Sequence, residues 1–300
     1  MEKTQFKFPV GYHKFHQNQL FNYQLNRWYS WGYARLEDME YAGLKIDNFQ
    51  DWKNIMIKLA QTALQQDRLI NAAFYYRAAE FYTFSHDPDK EILYDKFCDL
   101  FYNIFQDEGL ERFKVPYHDG FLPVIKTSPE GKSKGTIVLH GGFDSCIEEF
   151  YSWMWYFSSQ GYEVIGFEGP GQGLARKKYG IPLDIEWEKP TAAVLDYFNL
   201  DDVTLIGISM GGWFCLRAAA FEPRIKKVIA QGHALDYMKI PNILAQKMLI
   251  FFIKYFPNFS NKITLNNLKK CDMEAWTTSN LMYITDKKDA LRCHGRLLLR

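Results

Sequence analysis

The sequence predicts an α/β protein, a doubly wound and mainly parallel sheet preceded by a helical region. Three observations lead there. Short apolar runs alternate with stretches of helical length from about residue 111 onward, the first 110 residues show helical periodicity without a clear strand, and glycine-rich turns follow three of the apolar runs directly. A parallel sheet of this kind presents its ligand site at the carboxyl ends of its strands.

The N-terminal region is crowded with aromatics, among them Trp28-Tyr29-Ser30-Trp31 and Phe74-Tyr75-Tyr76. Apolar positions recur at three and four in Trp52, Ile55, Met56, Leu59 and Ala63, and again in Ile92, Leu93, Phe97, Leu100, Phe101 and Ile104. Asp87-Pro88 supplies an N-cap and a proline at the first helical position. Asn71–Glu80 has the look of a tetratricopeptide helix, but no second copy follows at the required period of about 34 residues. Residues 1–110 are therefore expected to form a helical cap domain that lines the ligand edge with aromatic rings.

A hairpin comes next, Phe113–Pro116 and Phe121–Lys126 around His118-Asp119-Gly120. Strands are then expected at 136–139, 162–167, 203–206 and 227–230, the last two buried on both faces, with helices near 148–160 and 185–198 and another from Trp213. These elements define a core at 111–234. Ile243–Phe256, fourteen residues with Lys247 and Lys254, is too short and too charged to span a bilayer, so it reads as part of a helical insertion over 235–291.

Chemistry concentrates at Gly207-Ile208-Ser209-Met210-Gly211, a G-x-S-x-G directly after the aliphatic run Val203–Ile206 and directly before a helix. Small residues at Gly207, Gly211 and Gly212 let strand and helix approach while Ser209 is held above the sheet edge, and the following helix aims its free N–H groups at an oxyanion formed beside the serine. Upstream, the buried run Thr136–Leu139 leads into His140-Gly141-Gly142-Phe143-Asp144. Between them, Glu168-Gly169-Pro170-Gly171-Gln172-Gly173 follows a strand but matches neither a P-loop nor a dinucleotide fingerprint, which excludes that class of phosphate site.

These motifs resemble the α/β-hydrolase superfamily. The order of helical region, His-Gly-Gly-Phe-Asp-Ser with Glu148-Glu149, and Gly-Ile-Ser-Met-Gly-Gly is similar to the branch around 2,6-dihydropseudooxynicotine hydrolase and the dipeptidyl aminopeptidase or acylaminoacyl-peptidase related proteins. The resemblance implies Ser209 as nucleophile, an oxyanion hole from the N–H groups of Gly142 or Phe143 and of Met210, and an orienting role for His140. A pocket carboxylate is implied near the oxyanion loop. Asp144 is the candidate, whereas Glu148 and Glu149 read better as residues opening a helix at its positive end. The activity implied is hydrolysis of a small ester, amide or ketone-activated carbon–carbon bond.

The triad acid and histidine are not recognisable. His233 and Asp236 fall too early for the family order, and Asp286 and His294, eight positions apart, leave no room for a helix and a strand between them. Residues 292–300 hold three arginines against eight in the first 291, so the reading frame is expected to be lost near residue 291, with acid and histidine lost beyond it and activity impaired. The rival reading is a non-catalytic ligand-binding or interaction protein on a hydrolase scaffold.

Composition narrows the partners. A net charge of +1 gives no reason to expect nucleic acid or an anionic membrane, and hydrophobic residues at 47% suffice for two cores. Residues 1–20 lack a signal-peptide core, so a cytoplasmic location is expected. Cys98, Cys146, Cys215, Cys271 and Cys293 are scattered without metal-ligand spacing and read as reduced thiols. The expected partner is a small-molecule substrate, with no metal and no cofactor; a homodimer stays open.

Overall fold

The computed structural model describes residues 4–232, 242–256, 258, 262 and 272–287. The chain divides into two compact units, one comprising residues up to Glu111 together with Glu148–Phe157, the other Arg112–Ile147 together with residues from Ser158 onward.

The first unit holds α1 (Gln19–Ser30), α2 (Leu36–Gly43), α3 (Phe49–Gln65), α4 (Leu69–Phe81) and α5 (Asp89–Phe105). Side-chain oxygens of Asn18 and Asn48 cap α1 and α3. The Asp87 carboxylate accepts from the Asp89 N–H at 2.9 Å, but α5 starts one residue later than expected, with Pro88 as its N-cap and Asp89 as its first residue. Trp28, Tyr33, Trp52, Phe74, Tyr75, Tyr82, Phe97, Phe101 and Phe105 are all fully buried. They pack on one another: Phe49 stacks on Tyr82 with centroids 4.4 Å apart, and Phe101 meets Phe105 at 4.9 Å. These rings form the core of the helical unit, because each buries a large apolar area and helices of this length have little else to fill the space between them.

The second unit is built on a six-stranded sheet of β1 (Glu111–Tyr117), β2 (Gly120–Thr127), β3 (Thr136–His140), β4 (Glu163–Phe167), β5 (Val203–Ile208) and β6 (Ile225–Gln231) in the order β1-β2-β4-β3-β5-β6. β2 runs antiparallel to β4, while β3, β4, β5 and β6 are parallel. The fold is thus the mainly parallel α/β sheet expected. The 3₁₀ turn (Ile147–Phe150) and α6 (Tyr151–Ser159) between β3 and β4 fall almost wholly in the first unit, and α7 (Gly173–Lys177), α8 (Glu188–Tyr197) and α9 (Gly211–Phe221) are the helices of the second. Val138, Ile165, Phe167, Leu205, Trp187 and Phe214 form the core of this unit.

β3 is flanked on both sides, with His140 opposite Phe167 of β4 and Gly207 of β5. Three loops therefore leave the sheet at the same carboxyl edge. β6 differs from expectation: only Ile225 is buried, and Lys226, Lys227, Ile229, Ala230 and Gln231 are exposed. Among the described residues β6 pairs with β5 alone, so the apolar composition that suggests burial on both faces is not matched by neighbours.

After β6 come α10 (Ile243–Tyr255) and α11 (Asp272–Thr285). The helix expected at 243–256 is present. Among the described residues no helix is long and apolar enough to cross a membrane. His233, Asp236, Cys271, Cys293, His294 and the tail 292–300 lie outside the described residues.

Candidate active site

β5 ends at Ile208, α9 begins at Gly211, and Ser209 turns the chain between them with φ of 60°. A non-glycine residue in the left-handed region is strained, and it persists only where its surroundings hold it. The Ser209 N–H donates to the Gln231 carbonyl at 2.7 Å, and the Gly212 N–H donates to the Ser209 carbonyl at 2.9 Å. Glycines make the tight turn feasible: a Cβ on Gly207 would collide with the Gly211 carbonyl, and one on Gly232 with the Ser209 carbonyl. Ser209 is exposed while the five residues from Leu205 to Ile208 and Val203 around it in β5 are buried or nearly so, leaving the hydroxyl at the sheet edge.

The loop after β3 lies against this turn. A Cβ on Gly142 would stand 2.9 Å from the Met210 nitrogen and 3.1 Å from the Ser209 Cβ, and one on Gly211 would stand 2.5 Å from the Gly141 carbonyl oxygen. Only glycine lets these two backbones meet. The Gly142 N–H donates to Ser145 Oγ at 3.2 Å. The carbonyls of Gly141 and Gly142 both accept from Gln172 Nε2, each at 2.7 Å, and Gln172 Oε1 accepts from the Gly169 N–H at 3.0 Å. Asp144 follows in the same loop and is half-buried.

The residue preceding that loop is wholly buried. His140 Nδ1 lies 3.0 Å from the Gly141 carbonyl oxygen, and its ring sits among Phe167, Trp187 and Phe214. Burial lowers its pKa from 6.5 to about 4, because an imidazolium there would lose its hydration. His140 is thus neutral at pH 7 and Nδ1 is the donor to Gly141. Cys215, behind the turn on α9, is also buried, which pushes its thiol up to about 11; Cys98, Cys146 and Cys215 stand as thiols.

Comparison with known proteins bears on this geometry. Residues 136–270, which include both loops and the serine turn, match the family described as alpha/beta hydrolase fold. Hydrolase LUC6 of Fusarium sp is 34% identical over 197 residues, covering 57% of this chain and 46% of its own length. The 20-hydroxy-prefusarin hydrolase FUS2 of Gibberella moniliformis is 34% identical over 197 residues, with the same two shares of 57% and 46%. The chain thus spans less than half the length of either relative. The crystal structure of the 2,6-dihydroxy-pseudo-oxynicotine hydrolase superposes with a TM-score of 0.62 at 21% identity, covering 89% of this chain and 73% of that one.

The chain has the α/β-hydrolase fold.

Within this α/β-hydrolase fold the sequence-derived candidates separate. Ser209, Met210, Gly142, Phe143 and Asp144 share the carboxyl edge of one sheet. Glu148 and Glu149 belong instead to the helical unit. Glu149 is fully buried there between Arg27 and Arg77, and the Tyr33 hydroxyl donates to its carbonyl at 2.9 Å. Tyr102 donates to the Glu148 carboxylate at 2.5 Å. Asp286 is 71% exposed on its side chain and pairs with Arg176 at 2.8 Å, after a helix and not a strand.

Two contributors escape sequence reading. The family resemblance places the Gly-Pro-Gly-Gln-Gly turn beside the nucleophile without marking the Gln172 side chain, whose double hydrogen bond is visible only once β3 and β4 are side by side. α11 brings Trp276 to Phe143, with ring centroids 6.1 Å apart and nearly perpendicular, beside Leu281, Ile284 and Leu183. The helix end is tied down by Leu183 N–H to the Ile284 carbonyl at 2.7 Å and by Arg176 Nε to the Tyr283 carbonyl at 2.7 Å. Among the described residues no hydrogen bond reaches the Ser209 hydroxyl, and no group of His, Cys, Asp and Glu is arranged to hold a metal ion.

Proposed function

We propose that this protein is a serine hydrolase in which Ser209 Oγ attacks the carbonyl of a small ester, amide or ketone-activated carbon–carbon bond. The observation that carries the reading is the left-handed backbone of Ser209 between β5 and α9, with Gly142 pressed against the Met210 nitrogen. As Oγ bonds to the carbonyl carbon, the carbonyl π electrons move to oxygen. That oxyanion would lie between the Met210 N–H and the segment Gly142–Phe143, at the positive end of α9. The hydroxyl proton must leave to a base, since a serine is a poor nucleophile near neutral pH without one. His140 is a poor candidate, because its ring is enclosed and its Nδ1 is engaged with Gly141. His233 and His294 are the histidines to test for that role.

Trp276 and Phe143 form an aromatic wall next to the loop, which favours a compact, apolar or aromatic acyl group over a long flexible chain. The hydrolase names of the relatives agree with this class of activity. The lack of a hydrogen-bonded base at Ser209 among the described residues favours the second reading, a scaffold that binds a small molecule without turning it over. A fluorophosphonate probe with peptide mapping tests both. Labelling at Ser209 that disappears in S209A supports the nucleophile, and its loss in H233A or H294A would identify the base. Absence of label at Ser209, with a small aromatic ester binding but not consumed, would favour the scaffold.

A further inference from the structure

The oxyanion loop is held by a side chain from a different βα unit. Gln172 is 3% exposed and stands at the start of α7, where its backbone is extended. Its amide makes three hydrogen bonds, donating from Nε2 to the carbonyls of Gly141 and Gly142 and accepting at Oε1 from the Gly169 N–H. The turn that carries it is itself anchored. The Glu168 carboxylate, 1% exposed, accepts from the Ile147 N–H at 3.1 Å and from the Leu174 N–H at 2.6 Å.

Those bonds set the direction of two peptide planes. In a trans peptide the carbonyl and the following N–H point to opposite sides. With the Gly141 carbonyl on Gln172, the Gly142 N–H points away from it and is taken by Ser145 Oγ at 3.2 Å. With the Gly142 carbonyl also on Gln172, the Phe143 N–H points away as well, and it donates no hydrogen bond among the described residues. The Met210 N–H, next to Gly142, is likewise without an acceptor among them.

We infer that Gln172 is a positioning residue that aims the Phe143 N–H, not the Gly142 N–H, to join Met210 in stabilising the oxyanion. The inference rests on the reading of Ser209 as nucleophile. Gln172 touches no reacting atom. It acts by keeping the loop in the one arrangement where two donors converge, and a displacement of about 1 Å in such a site lowers the rate about a hundredfold.

The test compares the full chain with Q172E, S145A and S209A. Q172E keeps an acceptor for the Gly169 N–H and nearly the same volume, but sets oxygens against two carbonyls. Three readouts apply: the rate of fluorophosphonate labelling at Ser209, the binding of the matching unreactive phosphonate diester, and hydrogen exchange of peptides covering Gly141–Ile147. Q172E is expected to label about a hundredfold more slowly, to bind the diester as the parent chain does, and to exchange faster in the loop. S145A releases only the Gly142 N–H and is expected to label at the parent rate. Labelling of Q172E at the parent rate would overturn the inference, as would a loss in S145A equal to that in Q172E. Equal weakening of diester binding and labelling in Q172E would also overturn it, since that reports general disruption. If the parent chain is not labelled at Ser209 at all, the nucleophile reading fails by itself. Exchange then decides the clamp alone, and unchanged loop protection in Q172E would refute it.

Discussion

Acid should destabilise the sheet-bearing unit through His140, and replacing that residue with phenylalanine should remove the effect. The imidazole is enclosed by Phe167, Trp187 and Phe214, and its pKa is lowered to about 4 from 6.5. Between those values the unfolded chain binds a proton that the folded chain does not. Stability therefore rises with pH across this window, and it is lost as pH falls from 6.5 toward about 4. The difference of about 2.5 units corresponds to about 3 kcal/mol over the full window, of which about 2 kcal/mol is gone by about pH 5. H140F keeps a ring of similar size in the aromatic cage. It gives up the contact of Nδ1 with the Gly141 carbonyl, which still accepts from Gln172. It also removes Nε2, a buried nitrogen without a hydrogen-bond partner among the described residues. Urea unfolding of both proteins at about pH 7.5 and about pH 5 measures the effect, and the gap between their stabilities should move in favour of H140F by about 2 kcal/mol. Parallel changes in the two proteins would show that His140 is not the acid-sensitive group.

Three further outcomes follow from the same structure. E149A leaves the Arg27 and Arg77 guanidinium groups without the carboxylate buried between them and should destabilise the helical unit by about 3–5 kcal/mol; a change below about 1 kcal/mol in urea unfolding would place that charge in water. G142A sets a methyl 2.9 Å from the Met210 nitrogen, so labelling at Ser209 should fall about a hundredfold with the circular dichroism spectrum unchanged. Normal labelling would mean that the two backbones are not held together. W276A opens the space beside Phe143, and the ratio of kcat/KM for bulky over compact aryl esters should rise about tenfold; an unchanged ratio would remove Trp276 from the acyl side of the site.

By itself the sequence determined the order of strands and helices of the sheet unit and the turns where chemistry concentrates. Both are local properties. A continuous aliphatic and β-branched run marks Val203–Ile206 as a strand, and Gly207, Gly211 and Gly212 announce a close approach that larger residues would block. What lay beyond reach were contacts between residues far apart in the chain. The use of the N-terminal aromatics as core, the enclosure of Glu149 by Arg27 and Arg77, and the packing of Trp276 on Phe143 each depend on which faces meet, and periodicity identifies a face without naming its partner. Gln172 is the sharpest case. Nothing in Gly-Pro-Gly-Gln-Gly marks its side chain, because its partners are carbonyls, which every residue has. Only the parallel pairing of β3 with β4 sets Gly141 and Gly142 within 2.7 Å of that amide.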